Sequence, residues 1–454
     1  MFVYKKNQLV GYLKFERGQH QFVYDNEYLC QMDAKPVSPE MPLTDTVLIS
    51  ERMFNAFEQV IPEGLDRKLL EKQAGSANDF DLLPLLKDIY GDLQFSKTAL
   101  LPEALEKCPP FNYAAFKADI LGNNGFPNVL AMAIQIDDKT LFPPNTVPVK
   151  NFRPSGLSGF QHKLSVVIND NHTIIRLPNK NEESHYFIKP YHLARANPES
   201  EYYLPHLAIN EHLFMTFAKN ELGFDVPLNG IVKNPTDREY HYIVKRYDRY
   251  KGYKFCCDEL ASLVGLNSET KYQITSEQLF KSLQKYLTLN SERLVLLKYY
   301  FYSFVIAHED MHTKNLSVLT DGNKICMSPL YDIAATAVYQ GAGFGETALL
   351  INGKNKNIRP ADFQGLVDLM SVNKQLFNQE AAEILDKYTH QLPKYFDQLE
   401  KLPGIMFHER SRVHSQGRQP RITKSLSFTD RLRRKHLLRI KQLEKAGWYQ
   451  YLQG

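Results

Sequence analysis

The densest group of side chains able to do chemistry begins at His308, where the chain reads HEDMHTKNLSV and PLYDI follows. Phosphoryl transfer needs a carboxylate that orients the attacking hydroxyl or accepts its proton. It also needs an amide oxygen and a second carboxylate that hold Mg²⁺. Asp310, Asn315 and Asp332 supply these groups in that order, and Lys314 could offset phosphate charge. The spacing therefore predicts the catalytic and metal site of a kinase.

The same segment also matches H-E-x-x-H, the zinc-binding pattern of metallohydrolases. In that interpretation His308 and His312 lie one turn apart on a helix. Glu309 is then the base, and Asp332 is formally a third ligand. The Thr-Lys-Asn that follows is a poor continuation of a helix, and a lysine beside the site would oppose zinc. The zinc hypothesis also leaves Lys189 without a role, so we regard it as the weaker alternative.

A glycine loop and a strand lysine upstream could bind the phosphates of a nucleotide. The loop SGLSGFQHK runs from Ser155 to Lys163, and its glycines let backbone N–H groups approach phosphate oxygens. Lys189 has apolar strand neighbours in YFIKPY, so it either neutralises phosphate or extends its amine to solvent. Glu211, inside the helical pattern of 204–223, could pair with Lys189, although exposure is commoner for a helical glutamate.

The elements around these motifs predict a two-lobed α+β protein. Residues 1–100 combine strand and helix patterns without a catalytic cluster, so we interpret them as a docking or scaffold unit. Residues 101–150 are rich in proline and are interpreted as a connector. Residues 151–257 are rich in strands, residues 258–405 are mostly helical, and residues 406–454 form a basic tail and helix. A β-rich lobe over a helical lobe leaves a cleft suited to a nucleotide.

Composition limits the class of protein. A chain of 454 residues, 43% hydrophobic and 23% charged, is long enough for two or three domains with their own cores. The formal net charge of +4 does not demand a nucleic-acid partner. Five cysteines without a C-x-x-C spacing argue against a disulfide framework and favour a reducing cytosol. No apolar stretch reaches the roughly 18 residues of a membrane span.

Taken together, the motifs resemble the HipA family, whose members are serine/threonine kinases and the toxins of bacterial type II toxin–antitoxin pairs. VGYLKFERGQHQFVYDNEYL and PVSPEMPL are similar to the family's N-terminal subdomain. SGLSGFQHK looks like its phosphate loop, YFIKP carries its ATP-contacting lysine, and VKRYDRY resembles its hinge. HEDMHTKNLSV with PLYDI looks like its catalytic and metal sites, and LLINGKNKNI resembles a later signature. The resemblance implies a protein-kinase-like, HipA-like fold with a small N-terminal α+β subdomain.

The resemblance also implies the site residues and two ligands, ATP and Mg²⁺. Asp310 would be the catalytic base, and Asn315 and Asp332 would hold the metal. Lys189 would bind the phosphates of ATP. The remaining nucleotide-binding positions would be Ser158, Gly159, Lys163, Lys245, Arg246, Tyr247, His312, Lys314 and Tyr331.

Two positions depart from the family pattern. Lys245 stands where the family's hinge often has an acidic residue, although the backbone there can still contact adenine. In the phosphate loop, Gly156 occupies the first of the serine positions at which the family phosphorylates and inhibits itself. Ser158 keeps the second position and Ser155 lies one residue early. Autophosphorylation is therefore expected on Ser158 before Ser155.

Partners follow from the same resemblance. A helix-turn-helix antitoxin like HipB would link the chain to operator DNA, and a translation component such as glutamyl-tRNA synthetase would be the protein substrate. The toxin would act in the cytoplasm, and its action would arrest the growth of the host cell and lead to persistence. The segment from Arg410 to Lys445 contains twelve Lys and Arg residues and only two acidic residues, Asp430 and Glu444. Such a charge pattern is typical of a solvated helix or of a contact with DNA or a tRNA-bound substrate. The alternative to a kinase is a catalytically weak co-repressor that acts with the antitoxin.

Overall fold

The computed structural model describes most of the chain. The described residues are 1–100, 111, 113, 119–122, 125–144, 161–180, 182–250, 252–321, 324–339, 345–411 and 420–453. A small N-terminal unit, a β-rich lobe and a helical lobe follow one another along these residues. The predicted two-lobed α+β fold is therefore confirmed.

The N-terminal unit is an antiparallel sheet with its own hydrophobic core. Its elements are β1 (Phe2–Lys5), β2 (Gln8–Glu16), β3 (Gln19–Tyr24), α1 (Asn26–Leu29), β4 (Leu48–Ser50), α2 (Asn55–Glu58), α3 (Gly64–Ala74), α4 (Asp79–Leu82) and β5 (Leu93–Ser96). The strands pair in the order β4-β3-β2-β1-β5. Helices cover one face of this sheet around Phe22, Phe57 and Leu70. Gly75 ends α3 at φ +66°, a left-handed conformation that glycine adopts without strain.

A seven-stranded sheet forms the β-rich lobe. Its elements and their helices are β6 (Val129–Leu130), β7 (Ala133–Gln135), α5 (Asp138–Leu141), β8 (Leu164–Ile168), β9 (Ile174–Arg176), β10 (Tyr186–Lys189), α6 (Leu193–Ala196), α7 (Leu207–Asn220), β11 (Asn229–Val232) and β12 (His241–Lys245). The strand order is β6-β11-β12-β10-β8-β9-β7. Val166, Ile188 and Ile243 are buried in one core, while α7 packs on the side of Tyr242 and Val244.

Part of the predicted connector is built into this sheet. β6 pairs in parallel with β11, and β7 pairs in parallel with β9, so residues 129–135 extend both edges of the sheet. Apolar residues in this stretch, including Leu130 and Ile134, are buried in the core of the β-rich lobe. Proline density predicts a linker here, but burial of these side chains outweighs the effect of the prolines. Residues 101–110 and 145–150 lie outside the described residues.

Short strands join the two lobes. A hairpin of β13 (Arg249–Tyr250) and β14 (Tyr253–Lys254) precedes an antiparallel sheet of β15 (Cys256–Glu259), β16 (Ser317–Asp321) and β17 (Lys324–Met327). The predicted catalytic segment leads directly into β16. Because β16 pairs with β15, the catalytic segment is positioned by the strand that follows the β-rich lobe in the chain.

Helices build the second lobe around a large core that also includes α7. They are α8 (Leu260–Leu263), α9 (Ser276–Leu283), α10 (Asn290–Val305), α11 (Pro360–Leu369), α12 (Lys374–His390) and α13 (Leu392–Leu399). A capping box between Thr275 and Gln278 starts α9. The second half of α10 is buried all round its circumference, as expected for a core helix. The catalytic segment thus leaves α10 from the middle of the core.

The predicted basic tail is part of the folded helical lobe. β18 (Met406–Arg410) and β19 (Ile422–Ser427) form a hairpin before α14 (Phe428–Lys445) and α15 (Trp448–Gln453). The sequence SRVHSQGRQPRITKS (411–425) predicts a flexible stretch, but its last residues, from Ile422, pair as part of β19. Arg439 of α14 donates to the carbonyls of Phe304 and Val305 at 2.7 and 3.1 Å. In the part of the chain that the structure describes, no helix combines the length and apolar character needed to cross a membrane.

Candidate active site

A cleft of about 700 Å³ lies between the β-rich lobe and the helical lobe. This volume is within the range of sites that bind small molecules. Phe187, Val244 and Leu207 give one part of its wall an apolar surface. The predicted site residues on the wall are Lys163, Lys245, Tyr247, Asp310, His312, Lys314, Asn315, Tyr331 and Asp332. The fold therefore brings most of the predicted site together.

Lys189 lies beneath the cleft between two carboxylates. Its Nζ is 2.7 and 2.9 Å from the two carboxylate oxygens of Glu211 and 2.6 Å from Oδ1 of Asp332. Burial tends to lower the pKa of Lys189, but Asp332 and Glu211 raise it above its usual range. Glu211 is buried on α7, so the predicted pair is present and Glu211 is not exposed as most helical glutamates are. A charged lysine is thus held at the point where both lobes meet.

Asp332 is fixed both by its backbone and by its neighbours. Its φ is +57°, a left-handed conformation that is uncommon for a residue with a side chain and often marks a functional site. Nearby, Nδ1 of His308 lies 2.7 Å from the carbonyl oxygen of Ala334 and ties the catalytic segment to the chain after Asp332. Burial opposes ionisation of Asp332, but Lys189 and Lys163 hold the pKa of its carboxyl well below its usual range. An ionised carboxylate therefore faces the cleft.

Asp310 and Asn315 lie in a tight loop after α10. The side-chain amide of Asn315 donates to the Asp310 carbonyl oxygen at 2.8 Å, and the backbone N–H of His312 donates to the same oxygen at 2.8 Å. Since the Asn315 nitrogen is engaged, its amide oxygen is the atom able to hold a metal. The hydroxyl of Tyr272 donates to Oδ1 of Asp310. The Asp310 carboxylate therefore already accepts a hydroxyl group at the cleft.

His312 braces this loop as a neutral imidazole. Burial lowers its pKa to about 4. Its Nδ1 accepts from the backbone N–H of Lys314 at 3.2 Å, and its ring meets the Tyr272 ring edge-on at 5.0 Å. His312 also lines the cleft, so a contact with nucleotide phosphate stays a prediction.

Lys314 is engaged by carboxylates of two different parts of the chain. Its Nζ lies 3.1 Å from Glu63 of the N-terminal unit and 3.4 Å from Glu259 of β15. It also donates to the Ser268 hydroxyl at 2.9 Å. Burial tends to lower the pKa of Lys314, but Glu259 and other carboxylates raise it above its usual range. This amine therefore forms a salt bridge with the N-terminal unit. Lys314 also lines the cleft, so the phosphate contact stays a prediction.

The predicted hinge residues separate into two groups. Lys245 forms a salt bridge with Asp119 at 2.8 Å on the cleft wall. The guanidinium of Arg246 is fully buried, 2.7 Å from Asp248 and 3.1 Å from Asp88. Arg246 is therefore directed at the N-terminal unit, and its side chain is not among the groups that line the cleft. A contact of Arg246 with adenine would have to come from its backbone.

Aromatic rings continue the wall beyond the hinge. The rings of Tyr247 and Tyr331 lie 5.9 Å apart, and the Tyr331 hydroxyl donates to the Lys314 carbonyl at 2.9 Å. Such a pair offers an apolar surface on which a flat base can pack. Lys163, at the exit of the predicted phosphate loop, lies on the same cleft, and burial together with Lys189 lowers its pKa.

Residues 155–160 of the predicted phosphate loop lie outside the described residues. This applies to Gly159 and to the two predicted autophosphorylation sites, Ser155 and Ser158. Their roles stay predictions.

The zinc alternative needs a helix that the structure does not contain. α10 ends at Val305, and Ala307 has a φ of +53°, so His308 and His312 do not lie one helical turn apart. Among the described residues, no group of three His, Cys, Asp or Glu side chains is arranged to hold a metal ion. The H-E-x-x-H match is therefore a coincidence of sequence.

Two parts of the chain match models of known protein families. Residues 1–96 match the model of the HipA N-terminal domain, and residues 155–396 match that of the HipA-like C-terminal domain. The second match alone covers more than half of the chain. The chain belongs to the HipA family. The resemblance inferred from its motifs is confirmed.

The chain is also similar to individual proteins and to a solved structure. A Haemophilus influenzae protein named "Putative kinase" is 30% identical over 209 residues, 43% of this chain and 56% of that protein. "Putative kinase Y4mE" of Sinorhizobium fredii is 26% identical over 351 residues, 74% of this chain and 77% of that protein. The chain thus spans little more than half the length of the Haemophilus protein. A Shewanella oneidensis HipA structure, solved with HipB and operator DNA, has a TM-score of 0.62 at 18% identity and covers 98% of this chain and 96% of that chain.

Two contacts at the site have no counterpart in the sequence interpretation. Tyr272 reaches Asp310 across 38 positions of the chain, and Glu63 reaches Lys314 from the N-terminal unit. Neither residue belongs to a recognisable catalytic motif. Helix and strand patterns locate elements, but they do not show which side chains of distant elements meet.

Proposed function

We propose that the chain is a Mg-ATP-dependent serine/threonine protein kinase of the HipA type. The observation that supports this most is the triad of Lys189, Glu211 and Asp332, which lies at the cleft beside Asp310 and Asn315. A lysine paired with a helix glutamate, a catalytic carboxylate and two metal-binding groups are the parts of a protein-kinase site. The names of the Haemophilus and Sinorhizobium relatives agree with this activity.

In the proposed reaction, the oxygen of a Ser or Thr hydroxyl bonds to the γ-phosphorus of ATP. The bond from that phosphorus to the bridging oxygen breaks, and ADP leaves. Asp310 orients the hydroxyl and takes its proton, so the acceptor must displace the Tyr272 hydroxyl that occupies this carboxylate. Lys189 and Lys163 oppose the phosphate charge, while Tyr247 offers its ring to adenine.

Asn315 and Asp332 fit the proposed magnesium site. Magnesium is commonly held by one or two protein oxygens, with water and phosphate oxygens completing its shell. The ionised Asp332 carboxylate and the Asn315 amide oxygen are ligands of this kind. When bound, the ion would neutralise charge on the phosphates during transfer.

The biological role follows as part of the proposal. The chain would act as a cytoplasmic HipA-type toxin that phosphorylates a translation component, such as an aminoacyl-tRNA synthetase, and arrests growth. Its antitoxin would be a HipB-like helix-turn-helix protein through which it meets operator DNA, since the Shewanella HipA structure contains HipB and operator DNA. Autophosphorylation in this loop, at Ser158 in preference to Ser155, would inhibit it.

The test compares the wild type with Asp310→Ala in bacterial growth and in phosphotransfer from ATP labelled at the γ-phosphate. We expect growth arrest and labelling to disappear together, with labelling reduced at least about a thousandfold because the base is lost. Asp386→Ala is the matched control, since Asp386 is an exposed helix carboxylate that pairs only across one turn with His390. Growth arrest by Asp310→Ala equal to that of the wild type would contradict the kinase and favour the co-repressor.

A further inference from the structure

We propose that the N-terminal unit completes the active site, with Glu63 and Asp66 as positioning residues for the two sides of the cleft. Glu63 would hold the catalytic loop, and Asp66 would hold the chain that leaves the phosphate loop. The inference rests on the proposed kinase activity and changes the interpretation of residues 1–100 from a scaffold to a functional part of the enzyme.

Glu63 is the residue just before α3, and it reaches two lysines of the helical lobe. Its carboxylate oxygens lie 3.1 Å from Nζ of Lys314 and 2.8 Å from Nζ of Lys271. Burial favours a higher pKa for Glu63, but Lys314 and Lys271 lower it below its usual range. The carboxylate is therefore ionised, and it bridges Lys314 of the catalytic loop and Lys271 of a neighbouring segment.

Both lysines lead directly to the proposed catalytic base. Lys314 precedes Asn315, whose amide is hydrogen-bonded to the Asp310 carbonyl at 2.8 Å. Lys271 precedes Tyr272, whose hydroxyl donates to the Asp310 carboxylate. A displacement of Glu63 would consequently change the position of Asp310 through both Lys314 and Lys271.

The segment that carries Lys271 has further contacts on both sides. The Thr313 hydroxyl of the catalytic loop donates to the Lys271 carbonyl at 2.9 Å. The Ser268 hydroxyl donates to Glu58 of the N-terminal unit at 2.6 Å and accepts from Lys314 at 2.9 Å. Residues 268–272 therefore lie between the N-terminal unit and the catalytic loop, and polar contacts fix them to each.

Asp66 makes the corresponding contacts on the nucleotide side. Its Oδ1 lies 2.5 Å from Nδ1 of His162, and its Oδ2 accepts from the backbone N–H of Lys163 at 3.3 Å. The other ring nitrogen of His162 lies 3.0 Å from the Thr140 carbonyl. Because Lys163 lines the cleft, Asp66 sets the position of a cation that faces the proposed phosphates.

The two carboxylates are three residues apart, one on either side of the start of α3. Glu63 is the N-cap of α3 and Asp66 lies in its first turn, so the start of a single helix contacts both lobes. The N-terminal unit also contacts the rest of the chain through other residues. Asp88 pairs with Arg246 at 3.1 Å, and the Gly91 N–H donates to Asp248 at 3.0 Å. Glu63 and Asp66 can therefore be altered while these other contacts keep the unit in place.

The test uses the full chain with Glu63→Gln and Asp66→Asn, both close in shape to the native side chains. We expect Glu63→Gln to lower kcat about tenfold with little change in the KM for ATP, because it loosens the catalytic loop. Asp66→Asn should instead raise the KM for ATP about tenfold, because it loosens Lys163. A second variant on the acceptor side, Lys271→Gln, should lower kcat in the same direction as Glu63→Gln.

Asp79→Asn is the control, since it breaks a 2.7 Å salt bridge with Arg67 inside the N-terminal unit. It should leave both constants unchanged, and thermal midpoints of all variants separate a loss of folding from a loss of positioning. If Glu63→Gln and Asp66→Asn match Asp79→Asn, or shift kcat and KM alike, the inference is wrong although the kinase stands. A wild type without phosphotransfer would overturn the proposed function as well.

Discussion

Two buried lysines of the cleft, Lys189 and Lys314, look alike and differ in what surrounds them. Both are nearly inaccessible, and each lies between two carboxylates. Both have pKa values above the usual lysine range, because their carboxylate partners outweigh burial. By residue type and position in the sequence, either could be a phosphate contact.

The exposure of the partner carboxylates distinguishes them. The Asp332 side chain beside Lys189 is 35% exposed, so a ligand in the cleft can reach this pair. Glu63 and Glu259 beside Lys314 are 11% and 6% exposed, so a ligand reaches these carboxylates less readily, although Lys314 and Glu259 also line the cleft. This difference agrees with the proposed ligand-site role of Lys189, whereas Lys314 links the catalytic loop to the N-terminal unit.

The largest effect is expected when Lys189 is removed. Lys189→Met should lower phosphotransfer about 100- to 1000-fold, because a fixed cation no longer opposes the phosphate charge. The change in stability should be small by comparison, since Asp332 is open to water and Glu211 can take up a proton. Steady-state phosphotransfer and urea denaturation of the same preparation measure both quantities. The comparison fails if Lys314→Met lowers the rate more than Lys189→Met.

The second effect concerns stability and is specific to Lys314. Lys314→Met should lower the free energy of unfolding by about 3–5 kcal/mol, because the buried carboxylates of Glu63 and Glu259 lose the cation that they share and Glu63 keeps only Lys271. Lys298→Met is the control, because Lys298 and Glu380 form a partly exposed pair that should contribute at most about 1 kcal/mol. Urea denaturation followed by far-UV circular dichroism gives the two values. Equal losses of unfolding free energy in both variants would show that Lys314 contributes no more to stability than a partly exposed lysine.

The sequence indicates the ion pair of Lys189 but not that of Lys314, for a physical reason. The order of Asp310, Asn315 and Asp332 reflects the chemistry of a single site, so it can be recognised from residue types and spacing. The pair of Lys189 with Glu211 follows from a strand and the helix next to it. The partner of Lys314 lies in another unit of the chain, and periodicity carries no information on how units dock. The Arg246 side chain, directed at Asp88, is missed for the same reason.

The smallest effect is a difference in pH dependence between the two lysine environments. Burial raises the pKa of Glu211 to about 7 against the opposing charge of Lys189. Burial acts in the same direction on Glu63, but Lys314 and Lys271 reverse the outcome and lower its pKa below the ordinary 4.5. The pKa values of two glutamates beside similar lysines are therefore shifted in opposite directions.

The signs follow from the protons bound before and after folding. The folded chain keeps a proton on Glu211 at pH values where the unfolded chain has lost it, so this contribution to stability is full below pH 4.5 and is lost as the pH rises through about 7. The folded chain loses the Glu63 proton more readily than the unfolded chain. Its contribution is therefore full above pH 4.5 and is lost as the pH falls through the lowered pKa.

Glu211→Gln and Glu63→Gln separate the two contributions. Between about pH 5 and 7, the unfolding free energy of the wild type should decline relative to Glu211→Gln, with a slope of at most about 1.4 kcal/mol per pH unit. Relative to Glu63→Gln, the unfolding free energy of the wild type should stay constant over this pH window. It should decrease only when the pH is lowered further. Urea denaturation at a series of pH values measures both differences. Two parallel profiles would mean that Lys189 and Lys314 lie in equivalent environments, and the distinction between a ligand site and a link to the N-terminal unit would then be lost.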